Sequence, residues 1–205
     1  MQYEIFRDLL IIVVAATAVF CAVIGALVFF TLRALLIRDI TAEALKQVDK
    51  QCRKIRATAL LQLGVVYWMI PMHNTLDKAI EVTERALDEF EDIMEEDELV
   101  FAKSNLGFYY AEKHSKGTPL WDRKAEAIAL TRVGFEKYSP TASKFRKPDW
   151  VDNYVFAKAM FIQTNSEKDE VIKLANEMLG RADLQSVHVY LEESRSHASG
   201  LTLAA

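Results

Sequence analysis

The tightest constraint on this chain is an uncharged apolar run, LLIIVVAATAVFCAVIGALVFFTL, from Leu9 to Leu32. As a helix rising 1.5 Å per residue, about 24 residues span roughly 36 Å, more than the roughly 30 Å hydrocarbon core of a bilayer. A secretory signal has a shorter apolar core of about 7–15 residues, a basic lead and a small-residue cleavage site. Here Glu4, Arg7 and Asp8 precede the run, and no A-x-A pattern closes it. The expectation is a short N-terminal segment, 1–8, followed by a retained single transmembrane helix, 9–32.

The flanks carry an orientation signal. Arg7 alone is basic before the run, whereas Arg33, Arg38, Lys46, Lys50, Arg53, Lys54 and Arg56 follow it, with Asp39, Glu43 and Asp49 interspersed. Excess Lys and Arg on the C-terminal side places that side in the cytoplasm, with the N-terminus outside. The same residues form a basic neck, 33–56, expected to be drawn to anionic lipid. Within the span, Thr17, Cys21 and Gly25 recur every four residues with Ala18, Ala22 and Ala26 beside them. Small residues at that spacing permit close packing against another membrane helix, although they are also simply common in such helices.

Beyond the span, only seven Gly and four Pro in the whole chain leave room for long helices, and no stretch alternates as a strand would. The expected class is all-α. Leu45, Val48, Cys52, Ile55 and Ala59 recur at three- and four-residue steps, a helical apolar stripe that would bury Cys52. Pro71 ends this stretch. Asn74 with Asp77 predicts a capped helix over 75–97. Further helices are expected over 99–114, from Thr118 and Pro119 to Tyr138, from Asp149 to Gln163, from a Ser166/Asp169 capping box to Gly180, and over 184–193. The small, polar tail, 194–205, is expected to be flexible.

The segment DEFEDIMEEDE holds eight acids between Asp88 and Glu98. It lacks the Asp-x-Asp-x-Asp-Gly pattern and the turn glycine of a calcium loop. The expectation is a solvated helix end that opposes its own macrodipole and frays.

Two stretches repeat one word: LGVVYW from Leu63 and LGFYYA from Leu106. Leu63, Gly64 and Tyr67 are followed by Ala79, Ala86 and Leu87. Leu106, Gly107 and Tyr110 are followed by Ala127, Gly134 and Phe135, with Pro140 beyond. A small residue lets a partner helix approach, and an aromatic one turn later fills the adjoining space. The pattern resembles the tetratricopeptide repeat, with a degenerate third unit in NYVFAKAMF and VIKLANEML. The resemblance implies about three irregular antiparallel helix pairs over 57–193; the plain alternative is a helical bundle. It also implies a concave face carrying Val65 and Trp68, Phe108 and Ala111, and Lys158 and Phe161, with Met69 and Ile162 adjacent. Such an apolar floor suits an amphipathic helix or peptide, unless the repeats close over it and make it core.

Nothing points to a reaction. His73, His114, His188 and His197 stand apart, and no phosphate loop, zinc motif or G-x-S-x-G occurs. No catalytic residue, metal or cofactor is expected, and a net charge of -4 argues against nucleic acid as partner. The expected function is a membrane-anchored scaffold or adaptor whose helical domain binds a protein. The alternative is an accessory single-pass subunit built permanently into a larger membrane complex.

Overall fold

The computed structural model describes residues 2–70, Met72 and 74–203, with side chains from Thr17 onward apart from Ala18. Pro71, His73, Ala204 and Ala205 lie outside the described residues, as does the Ala18 side chain of the small-residue stripe. The chain is all-α; no strand occurs among the described residues. It divides into two compact units, Met1–Cys52 and Arg53–Ala205.

The first unit is α-helical. Helix α1 runs Gln2–Met69, so the apolar run and the basic neck belong to one helix. Near the N-terminus it is long and apolar enough to cross a membrane, and every described side chain from Val19 to Cys52 is exposed. The predicted stripe therefore does not bury itself: Leu45, Val48 and Ile55 are exposed, and so is Cys52. Periodicity identified a helix there but named the wrong packed face. Within the second unit, α1 packs through Ala57, Leu61 and Gly64 instead.

The second unit begins with that end of α1 and continues through α2 (Thr75–Phe90), α3 (Glu96–Ser115), α4 (Lys124–Lys137), α5 (Pro148–Met160), α6 (Asn165–Leu179) and α7 (His188–Gly200). From α2 onward consecutive helices pack against one another, and α3, α5 and α7 also pack side by side. The core passes along the array in linked clusters. Leu61, Ala86 and Ala102 join α1 to α3. Ala79, Leu106, Tyr110, Ala127 and Ala157 continue through α5. Val155, Ala175, Leu184 and Leu191 close it at α7.

The repeated glycines sit where helices touch. A Cβ on Gly64 would lie 2.6 Å from Thr83 Oγ1 on α2, and one on Gly107 would lie 2.6 Å from the Ala127 carbonyl oxygen on α4. The tyrosine one turn on fills the space beyond. Tyr110 is buried and its hydroxyl donates to Glu84 on α2 at 2.5 Å; Tyr67 is half-buried against the same cluster.

Several boundaries differ from expectation. The helix predicted over 75–97 ends at Phe90; a 3-10 turn over Glu91–Ile93 follows, and α3 starts at Glu96. The later acids therefore occupy a helix N-terminus. Glu95 accepts from the backbone of the first turn while Glu98 reaches back to the Glu95 N–H, a capping box. Negative charge favours that end of the macrodipole, which reverses the predicted fraying. Asn74 is left-handed at φ 65° and makes no side-chain cap; the Thr75 hydroxyl instead donates to the carbonyls of Ile70 and Met72. Helix α4 starts six residues past Thr118, after a 3-10 turn at Trp121–Arg123. Helix α5 takes Pro148 as its first residue, and α6 is boxed by Thr164 and Glu167 rather than Ser166 and Asp169.

The predicted flexible tail is also corrected. Residues 194–200 complete α7, with Ser194 and Ala198 buried. Leu201 and Leu203 pack beside Ile162 and Val171, so the polar composition belonged to an amphipathic helix with one apolar edge.

Candidate functional site

Helices α1, α3, α5 and α7 present one face each to a shared groove of about 590 Å³. Every lining residue comes from these four helices, at helical spacing. Helix α1 gives Gln62, Val65 and Trp68; α3 gives Phe101, Asn105, Phe108, Tyr109 and Glu112; α5 gives Asp149, Asp152, Asn153 and Phe156; α7 gives Tyr190 and Glu193. Residues three and four apart lie on one helix face, so each helix contributes a row.

The floor is aromatic. Trp68 meets Phe108 edge-on at 5.4 Å between ring centres, and Phe108 lies 5.2 Å from Phe156. Trp68 is 41% exposed and Tyr190 54%, so these rings face open space. Of the eight residues predicted to bind a partner, Val65, Trp68 and Phe108 line the groove. Met69 is exposed beside it, in a second hollow with Ile70, Met72 and Lys116. Ala111, Phe161 and Ile162 are buried core, and Lys158 is half-buried and ion-paired with Glu170 on α6. On α1 the positions Val65 and Trp68 face the groove, whereas on α5 the positions counted from the motif do not. Helix α5 turns Asp152 and Phe156 to the groove and Lys158 and Phe161 away.

The acidic walls were not anticipated. Asp149, Asp152, Glu193 and Glu112 line the groove, and among the described residues no Lys, Arg or His does. Glu112 pairs with Lys116 at 2.7 Å. Asp152 is 9% exposed, and its Oδ1 has no hydrogen-bond partner among the described residues. Burial, with Asp149 and Glu193 adding repulsion, pushes its carboxyl up to about 7. A DNYVF segment reads as an ordinary amphipathic turn; only the assembled groove shows that Asp152 faces inward.

His114 is a packed structural residue. His114 is flanked by Trp121 at 4.3 Å and Phe161 at 4.5 Å, and its Nδ1 accepts from the Leu120 N–H. Burial lowers its pKa. Trp150 is core. No cluster of His, Cys, Asp or Glu suited to a metal occurs among the described residues.

The acid run and the basic neck, read separately from sequence, meet. Arg53 bonds Asp92 and the Glu89 carbonyl, Lys54 bonds Glu95, and Arg56 lies 3.8 Å from Glu89. Three of the seven neck cations are thus engaged by the helical domain. Arg38 sits beside Asp39, whereas Lys46 and Lys50 form no ion pair among the described residues. In the apolar span, Thr17, Cys21, Ala22, Gly25 and Ala26 are exposed, and nothing lies within 4 Å of a Cβ placed on Gly25.

No protein-family model matches this chain, and neither a curated protein nor a solved structure does.

Proposed function

We propose that this chain is a membrane-anchored, tetratricopeptide-like binding module whose groove takes a segment of another protein. The observation that carries the reading is the aromatic row Trp68–Phe108–Phe156 lining the groove, with Trp68 exposed and Phe108 and Phe156 half-buried. Aromatic rings partly open to water along a concave face are the usual anchors of a protein interface. The helix pairing and the close approach at Gly64 and Gly107 support the repeat likeness. The excess of Lys and Arg after the apolar run supports a cytoplasmic helical domain and an N-terminus outside.

Photo-crosslinking in intact membranes tests the groove. A photoreactive side chain at Trp68 or Tyr190 should give a discrete adduct that the same group at Arg132, exposed on α4, does not. Equal adducts from all three positions would refute the reading. If the adduct co-purifies as a stable stoichiometric assembly without crosslinking, the module is a permanent subunit rather than an exchanging adaptor. Protease digestion near Lys116 tests orientation: cleavage is expected in inverted vesicles, and cleavage in sealed spheroplasts would reverse the topology.

A further inference from the structure

We propose that the groove selects a basic segment of its protein partner, and that Asp152 receives one lysine or arginine side chain of that segment. This inference rests on the groove reading above and adds the chemistry of the occupant.

The first observation is an imbalance of charge. Elsewhere many carboxylates of the domain are paired, among them Asp77 with Lys113, Glu91 with Lys103, Glu96 with Lys137, Glu167 with Lys124 and Asp183 with Arg181. Glu81, Asp88 and Asp122, which form no ion pair among the described residues, stand apart on the surface rather than lining one hollow. In the groove, Asp149, Asp152 and Glu193 have no base among the described residues. The fourth acid, Glu112, is already neutralised by Lys116. Three uncompensated carboxylates converge on one hollow.

The second observation is independent of the first. Asp152 is more than nine-tenths buried, and its Oδ1 accepts no hydrogen bond among the described residues. Buried carboxylates are ordinarily paired or fully hydrogen-bonded, because an unmet one carries its whole desolvation penalty. A cation with N–H donors is the group this position lacks.

The third concerns the shape of that cation. Asp152 shares the groove with the aromatic rings of Trp68, Phe108, Phe156 and Tyr190. Aromatic faces attract cations and also cover the apolar stem of a long basic side chain. A bare metal ion would use neither property, and no acid cluster suited to one exists among the described residues. A volume of about 590 Å³ admits side chains from one face of a helix or strand, and positive charge on that segment complements the walls.

The test uses the full chain in nanodiscs of zwitterionic phosphatidylcholine, which removes competition from anionic lipid. The probes are three fluorescent amphipathic helical peptides, identical except that two positions beside the apolar stripe carry lysine, norleucine or glutamate. Anisotropy should show the lysine peptide binding at least about tenfold tighter than the norleucine peptide, with glutamate weakest. Asp152→Asn should bring the lysine-to-norleucine ratio close to one, and Glu193→Gln should lower it partway. Tryptophan-monitored melts confirm that each variant is folded. Equal binding of lysine and norleucine peptides, or a ratio unchanged in folded Asp152→Asn, overturns the inference while leaving an apolar groove in place. If no peptide binds and crosslinking from Trp68 finds no partner, the groove reading itself falls, and this inference with it.

Discussion

Gly107→Ala tests whether the recurring Leu-Gly word is steric in origin. The added Cβ would lie 2.6 Å from the Ala127 carbonyl oxygen, 2.9 Å from Thr131 Cγ2 and 3.0 Å from Leu130 Cβ. The nearest atom is backbone, and that carbonyl already accepts the Thr131 hydroxyl at 2.9 Å, so relief requires α3 and α4 to separate. Overpacking of this kind costs about 1–3 kcal/mol. Alanine in a helix regains about 1 kcal/mol relative to glycine. With a rigid obstacle the cost falls near the top of its range, leaving a net loss of about 2 kcal/mol. At about 2–4 °C per kcal/mol for a domain of this size, Tm should fall by roughly 4–8 °C. Tryptophan fluorescence of the full chain in nanodiscs reads this domain selectively, because the apolar run holds no tryptophan. Gly64→Ala differs in kind. Its obstacle is the Thr83 side chain at 2.6 Å, so adding Thr83→Ala should rescue Gly64→Ala with a coupling of about 1 kcal/mol or more. Thr131→Ala should not rescue Gly107→Ala, because the carbonyl stays. Gly200→Ala, with nothing within 4 Å, should not destabilise. A Gly107→Ala protein as stable as its parent would refute the steric account of the repetition.

Three further outcomes are expected. Asp152 has a carboxyl raised from an ordinary 3.8 to about 7, chiefly by burial, with Asp149 and Glu193 facing it and Glu112 tied to Lys116. The folded state therefore holds its proton more tightly than the unfolded chain. Stability from this group is present below pH 4 and is lost as pH rises through about 7, so Asp152→Asn should exceed the parent by about 4 kcal/mol at pH 8 and match it at pH 4 in urea titrations. His114 and His197, both lowered by burial, act oppositely and lose stability on acidification, but they cancel in the comparison of variant with parent. Phe161→Ala, in the core, should cost about 3–5 kcal/mol, whereas Trp68→Ala should leave the melt within about 1–2 kcal/mol and abolish the crosslinked adduct. Neutralising Lys46 and Lys50 should weaken binding to anionic lipid; neutralising Arg53 and Lys54 should chiefly lower Tm, because their partners are Asp92 and Glu95.

The helical class and most helix positions were legible because they depend on local pattern: an unbroken apolar run, punctuation at Pro71 and Gly180, and small residues recurring at helix contacts. Helix starts were less legible. Capping is decided by one backbone geometry, and Thr164 and Ser166 offer the same chemistry two residues apart; only Thr164 accepts the Glu167 N–H. The acid run was misplaced for a related reason. Eight acids look alike in sequence, but the 3-10 turn at Glu91–Ile93 divides them between the end of one helix and the start of the next.

The groove was half legible, and the missing half holds most of its acids. Its floor follows from the motif, because Trp68 and Phe108 stand at fixed offsets from Gly64 and Gly107, whose helices are held in register by close contact. Nothing comparable fixes α5, where Ala157 takes the small position without the flanking Leu-Gly word, so an offset counted from Phe156 puts Lys158 and Phe161 in the groove. Rotating the assignment by one or two residues exchanges a base for Asp152 and so inverts the charge of the site. Helix α7 adds Tyr190 and Glu193 from a stretch whose repeat pattern is absent altogether. Three of the four acids thus come from α5 and α7, whose register the sequence pattern constrains least, while four of the six aromatics, Trp68, Phe101, Phe108 and Tyr109, come from α1 and α3, which it constrains most. The division has a physical basis. Packing positions recur because every helix pair must solve the same steric problem, whereas the groove-facing positions of each pair escape that constraint and are free to differ.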